Sequence, residues 1–144
     1  MATRIDGKAL AAKVKAQVAE KAAKLPRQPG LAVVLVGEDP ASQVYVRGKE
    51  ADCGECSIRS FPYRLPVETT QRELLDLIEK LNRDPAVDGI LVQLPLPEPL
   101  EEAAVIAAIA PEKDVDCFHP YNVGRLNIGD PVFQPCTPAG VMEM

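Results

Sequence analysis

The chain has 144 residues, 47% of them hydrophobic and 26% charged, which suits one ordinary globular domain and leaves too little for two. A formal net charge of −5 argues against a nucleic-acid surface, and with aromatics at 4% and no Trp there is little on which bases could stack. The composition therefore points to a small-molecule partner.

The opening stretch, MATRIDGKALAAKVKAQVAEKAAKL, lacks the apolar core of a signal peptide. No run approaches the ~18–20 apolar residues that cross a bilayer. The expectation is a soluble cytoplasmic protein, with an organellar matrix left open, and with neither membrane nor nucleic acid as partner. Residues 5 to 25 read as an amphipathic helix, with Ile5, Leu10, Val14 and Val18 at helical spacing, stopped by Pro26, Pro29 and Gly30. LAVVLVG (31–37) reads as a short buried strand. Asp39 as N-cap with Pro40 at the first helical position predicts a helix through ASQVYVRGKEADCGEC.

SIRSFPYRL is a second strand, which Pro62 shortens or moves to an edge. Thr70 and Glu73 form a capping box for a helix over 70–82. VDGILVQL is a third strand and EEAAVIAAIA a short helix stopped by Pro111. Residues 112–136 carry turn residues and only short apolar pairs, so no regular element is predicted there. Thr137 and Pro138 look like a new helix N-terminus, six residues before the last residue given. So short a helix cannot hold itself in water, and a second domain is expected to follow.

Helices alternating with short apolar strands predict an α/β domain, layered α/β/α, with a mainly parallel sheet. Ligands of such sheets sit outside the carboxyl ends of the strands. That rule puts the loop GEDPAS, the turn after the second strand and QLPLP around one mouth.

Within that frame, few residues carry chemistry. Tyr45 and Lys49 are four apart and share a helix face, which Cys53 and Cys56 continue, so the face is expected to be mostly buried with one amine on it. A lysine held partly out of water has its neutral form favoured, which suits proton transfer. The bland alternative, favoured on periodicity alone, is a lysine whose stem covers the core while its head reaches solvent. Gln93 ends the third strand as the one amide in an apolar run. It either caps the backbone of the proline-broken turn or fixes a heterocyclic ligand or a lysine amine.

Asp114 and Asp116 point the same way if their segment is extended. No third acid or histidine stands at compact spacing, and His119 alone cannot anchor zinc, so no metal is expected. The C-x-x-C of Cys53 and Cys56 could signal redox chemistry or half a zinc site, but it lies late in a helix and has no second C-x-x-C, favouring reduced, structural thiols. There is no G-x-G-x-x-G and no G-x-x-x-x-G-K-[ST], hence no phosphate cradle.

Four stretches in order, VGEDPASQVYVRGKEADC, DGILVQLPLP, EKDVDCFHPYNVGRL and PCTPAG, resemble the amino-terminal catalytic domain of the bifunctional methylenetetrahydrofolate dehydrogenase/cyclohydrolase family. The resemblance covers essentially the whole chain. It implies oxidation of 5,10-methylenetetrahydrofolate to the 5,10-methenyl cation with NADP, then hydrolysis of that cation to 10-formyltetrahydrofolate. The lysine of S-x-x-Y-V-x-x-K falls on Lys49 as the central acid–base group. The tyrosine falls on Tyr45, which packs on the folate ring and contacts the lysine. The glutamine of G-I-L-V-Q-L-P-L-P falls on Gln93, which positions the amine, and the second aspartate of D-V-D falls on Asp116, which bonds the pterin edge. An amine that can be neutral suits a substrate carbon that becomes cationic, where a permanent charge would repel it.

The resemblance also implies residues 1–136 as the folate-binding catalytic domain and 137–144 as the start of an inter-domain helix. The NADP-binding Rossmann domain is absent from the sequence, so no cofactor-binding residues are expected here. A homodimer is implied for the parent enzyme, through contacts largely outside this segment. Two kinds of departure stand out: Ala51 and Asp52 replace the usual K-A after Lys49, and Cys56 and Cys117 stand where glycine is usual. The rival readings are a non-catalytic α/β binding or dimerisation module and a monofunctional methylenetetrahydrofolate dehydrogenase.

Overall fold

GLAVVLV, the only run among the described residues with six of seven residues buried, is the central strand β1, Gly30–Val36. In the computed structural model, which describes residues 5–144, β1 is flanked on one side by β2, Arg59–Leu65, and on the other by β3, Gly89–Val92. Both pairings are parallel, with Val33 opposite Pro62 and Leu91. Pro62 thus leaves β2 at its full seven residues and places it at the edge, where a missing N–H is tolerated.

The two faces of β1 bury different partners, as period-two alternation requires. Ala32, Val34 and Val36 pack with Ile90 and Val92 against Leu74, Ile78, Leu81 and Val105 of α3 (Gln71–Arg83) and α4 (Glu102–Ala108). Val33, Leu35 and Leu91 pack with Val46 of α2 (Pro40–Glu55) on the other face. Sheet between helix layers is the predicted α/β/α arrangement. Both predicted N-caps form: Asp39 accepts from the Ser42 amide at 2.8 Å, and Thr70 and Glu73 complete a capping box.

The first helix, α1 (Gly7–Ala22), is shorter than the predicted 5–25 and less covered. Ile5 and Val14 of its apolar stripe are exposed, and Ala22 is its one buried residue. The helix is tied to α2 from Lys15, which bonds Asp52 at 3.0 Å and Glu55 at 2.6 Å. Asp52, one of the departures from the family pattern, therefore serves to tie α1 to α2.

The stretch 112–136 is more regular than its turn residues suggest. A 3₁₀ turn, Pro111–Lys113, is followed by helix α5, Pro120–Asn127. His119 caps α5, its Nδ1 accepting from the Tyr121 amide at 3.1 Å. The helix escapes a periodicity reading because its one buried residue is Asn122. The last helix, α6, runs Cys136–Met142, so it starts one residue before Thr137, with Pro135 at the cap position. Among the described residues, no helix is long and apolar enough to cross a membrane.

Candidate functional site

All three strands end at one edge of the sheet, and the chain must leave that edge by turns whose side chains face a common space. A cleft of about 940 Å³ opens there and runs along the α2 face of the sheet, with Tyr45, Lys49, Gln93 and Asp116 all in its wall. The four predicted site residues are thus brought together from α2, the end of β3 and the turn after the 3₁₀ segment.

Lys49 Nζ donates to Gln93 Oε1 at 2.9 Å. The same amide donates from Nε2 to the Leu94 carbonyl at 2.8 Å, and the Gln93 backbone N–H donates to Val34 at 2.8 Å, extending the ladder past β3. Capping the turn and holding the lysine, posed as alternatives in the sequence, are therefore one arrangement. With Nε2 turned to Leu94, the amide presents Oε1 to Lys49, which fixes the amine without adding charge.

The α2 face is not uniformly buried, contrary to expectation. Cys53 and Cys56 are buried, Lys49 is half-buried and Tyr45 is 65% exposed. The gradient arises because α2 starts beyond the sheet edge and descends over it, so its early residues overhang the cleft. Among the described residues the Tyr45 hydroxyl makes no hydrogen bond, to Lys49 or otherwise, and the ring stands at the mouth. All four cysteines are free. Burial pushes the Cys53 and Cys56 thiols up, the opposite of a reactive redox pair.

Asp114 and Asp116 part company, because their segment is extended at a single bridge, Asp114 to Ile90, and then turns. Asp114 is 2% exposed and spends its carboxylate on the protein. Asp116 faces the cleft. Burial raises its pKa above the ordinary carboxylate value, the Lys49 charge pulls it back, and Asp114 adds to the rise. No group of three or more acids, histidines and cysteines at metal-binding distance occurs among the described residues.

The cleft includes residues that the sequence did not place in the site: Leu94, Phe118, Phe133, Cys136 and Thr137, the last read only as a helix start. Cys136 is near enough to Lys49 and Asp116 for both charges to act on its thiol, which burial pushes up first. The signal was present in PCTP, where the helix-start reading of Thr137 and Pro138 absorbed it. Of the two cysteines standing at family glycine positions, Cys117 has φ of 58°, where glycine is at ease. Cys56 has φ of −89°, and it is Ser57 beside it that has φ of 57°. The glycine-like position is therefore 57, not 56.

A nucleotide cradle does not fit the loop after β1. The N-terminus of α2 is occupied by Asp39, which the Ser42 amide and hydroxyl hold below the ordinary carboxylate range, with Glu38 beside it. Two acids at a helix N-terminus exclude a phosphate. A shallower depression of about 440 Å³ beside α3 is lined by charged side chains such as Glu79 and Arg83, which pair with each other.

The family described as tetrahydrofolate dehydrogenase/cyclohydrolase, catalytic domain, matches residues 5–116. The bifunctional protein FolD of Geotalea daltonii is 61% identical over 147 aligned positions, covering 100% of this chain and 52% of the relative. The bifunctional FolD methylenetetrahydrofolate dehydrogenase/cyclohydrolase of Campylobacter jejuni superposes with a TM-score of 0.93 at 51% identity, over 96% of this chain and 50% of that one. The Trypanosoma brucei FolD enzyme, solved with NADP cofactor and inhibitor, superposes with a TM-score of 0.94 at 39% identity, over 99% of this chain and 50% of that one. This chain spans about half the length of the relatives it matches. With the family's motifs folded into one cleft and its catalytic-domain signature running through Asp116, the chain belongs to the tetrahydrofolate dehydrogenase/cyclohydrolase family.

Proposed function

We propose that this chain is the folate-binding catalytic part of an enzyme that oxidises 5,10-methylenetetrahydrofolate to the 5,10-methenyl form with NADP and hydrolyses the product to 10-formyltetrahydrofolate. The observation that carries the reading is the 2.9 Å bond from Lys49 Nζ to Gln93 Oε1 inside a cleft that also presents Asp116. Lys49 is the acid–base group, giving and taking the proton as water adds and the ring opens. Gln93 keeps its amine aimed inward. Asp116 accepts from the pterin amino and ring N–H groups, which a carboxylate does with charge-assisted bonds. Tyr45 lays its ring on the folate from the mouth.

NADP fits none of the residues present, given the acidic N-terminus of α2 and the absence of a glycine-rich loop, so no hydride step is assigned to them. The proposal divides the sequence into a catalytic unit up to residue 136 and a connecting helix from 137, with the nucleotide held by a further domain. Four free thiols suit a reducing compartment, in keeping with a cytoplasmic enzyme. A homodimer is part of the same proposal.

The test is methenyltetrahydrofolate hydrolysis by a chimera in which this chain replaces the matching half of the Geotalea daltonii relative. Lys49→Ala is expected to cut turnover by about 10²-fold or more, the usual scale for a positioned acid–base group. Unchanged turnover would remove Lys49 from the mechanism. A chimera that folds but performs neither reaction would favour the non-catalytic module.

A further inference from the structure

Asp116 reaches the cleft from a turn that carries a strained residue, and the strain needs an explanation. Cys117, next in sequence, has φ of 58°, a conformation that side chains other than glycine rarely adopt. What closes the turn is Asp114. Its Oδ1 accepts from the Phe118 amide at 3.3 Å, and its Oδ2 accepts from the His119 amide at 2.9 Å and from Asn122 Nδ2 at 2.9 Å. Asp116 and Cys117 lie inside the loop that these bonds close.

Asn122 completes the knot from α5. It is 1% exposed, and its Nδ2 also donates to the Pro111 carbonyl at 2.8 Å, binding the start of the segment to its end. Its Oδ1 finds no donor. A buried acceptor without a partner costs free energy, so stability alone would not favour an amide here. Its use lies in what Nδ2 holds. The donors gathered by Asp114 are all uncharged N–H groups, so the carboxylate works as a two-sided acceptor and not as half of an ion pair. Among the described residues, the Asp116 carboxylate takes no hydrogen bond from the protein and stays available to a ligand.

We propose that Asp114 and Asn122 are positioning residues, holding the 114–119 turn in the backbone shape that delivers the Asp116 carboxylate to the folate. This rests on the folate reading for its ligand but not for its geometry. The charged groups that act on Asp116 are Lys49 from α2 and Asp114 from its own segment, and Asp116 in turn acts on the Cys136 thiol of α6. Loosening the turn changes its distance from all of them and lets in water.

The experiment follows the Asp116 carboxyl carbon by NMR titration in this chain, alongside calorimetry with 5-formyltetrahydrofolate as probe. In Asp114→Asn, which turns one acceptor into a donor, the Asp116 midpoint is expected to fall toward the ordinary carboxylate value while the circular dichroism is kept. Probe affinity should drop by about tenfold, the scale of losing a buried hydrogen bond. Asn122→Ala, the milder change, should move both readouts the same way by less. Adding Cys117→Gly to either variant should recover most of the loss, because glycine holds the turn without help. Should Asp114→Asn fail to fold, Asn122→Ala with and without Cys117→Gly gives the answer. Because Asp114→Asn also removes a charge that raises the Asp116 pKa, the deciding variant is Asn122→Ala: an Asp116 midpoint unmoved there overturns the proposal, as does no recovery on adding glycine. A wild-type chain that takes up no probe counts against the folate reading, and the carboxyl titration then decides the positioning role alone.

Discussion

Asp116 is kept partly out of water, and that placement weakens the fold wherever the group is charged. Its raised pKa means that the native chain holds this proton more tightly than the unfolded chain does. The stability associated with the group is therefore fully present below the unfolded pKa and is lost as pH rises through the folded one. At neutral pH the charge is a liability. Asp116→Asn is thus expected to raise Tm by a few degrees, the shift that about 1 kcal/mol produces in a domain of this size. The same variant should bind folates more weakly, since an amide offers the pterin a donor where it needs an acceptor. Thermal unfolding near pH 7 and calorimetry check the two halves separately. A substitution that stabilises the chain and impairs the ligand would mark Asp116 as a functional residue and not a packing one.

At the scale of elements, β3 and the Asp116 turn are set in contact by the smallest residue available. A Cβ added at Gly89 would lie 2.6 Å from Val115 Cγ1 and 3.2 Å from Leu31 Cδ1, so a methyl group there pushes on the residue just before Asp116. At Gly30 it would lie 2.0 Å from the Ala86 carbonyl oxygen, with no side chain free to give way. Gly89→Ala is therefore expected to fold with a loss of about 1–3 kcal/mol, as overpacking does, and with weakened 5-formyltetrahydrofolate binding. Gly30→Ala should not fold to the native state. Urea unfolding with calorimetry on each variant distinguishes the two. How much of this was legible in sequence follows from the same contrast. The strands announced themselves through apolar runs, and α2 and α3 through the caps Asp39 and Thr70, because those signals are local. The 114–122 knot did not, since Asp114 answers to amides four and five residues on and to an asparagine on a helix whose periodicity is masked by its polar core residue. Tyr45 was misjudged for a similar reason: spacing fixes which side of α2 it shares with Lys49, not how far the helix overhangs the sheet.

On the scale of the whole molecule, the parallel order β2–β1–β3 sends every strand end to one side and so helps gather Lys49, Gln93 and Asp116 in one cleft. The cleft also runs down toward the opposite side, where Gly30 and Asp88 line it and the contacts are structural. There Arg27 grips Asp88 through two bonds of 2.8 and 2.6 Å, and Asp88 accepts from the Gly30 amide at 2.8 Å, pinning the start of β1 to the turn before β3. A three-stranded sheet also has two open sides, and β2 guards its own with Pro62. Among the described residues, the outer side of β3 is bridged by backbone only at Ile90, to Asp114. The residue that shapes the ligand turn is therefore also the stopper on an otherwise adhesive strand, whose apolar GILV would welcome a strand from another molecule. The shape of the cleft turn and the cover of the strand edge are tied to one backbone contact. On mild heating, Asp114→Asn should scatter light at lower protein concentration than Asn122→Ala does, because only the former disturbs the bridging residue itself.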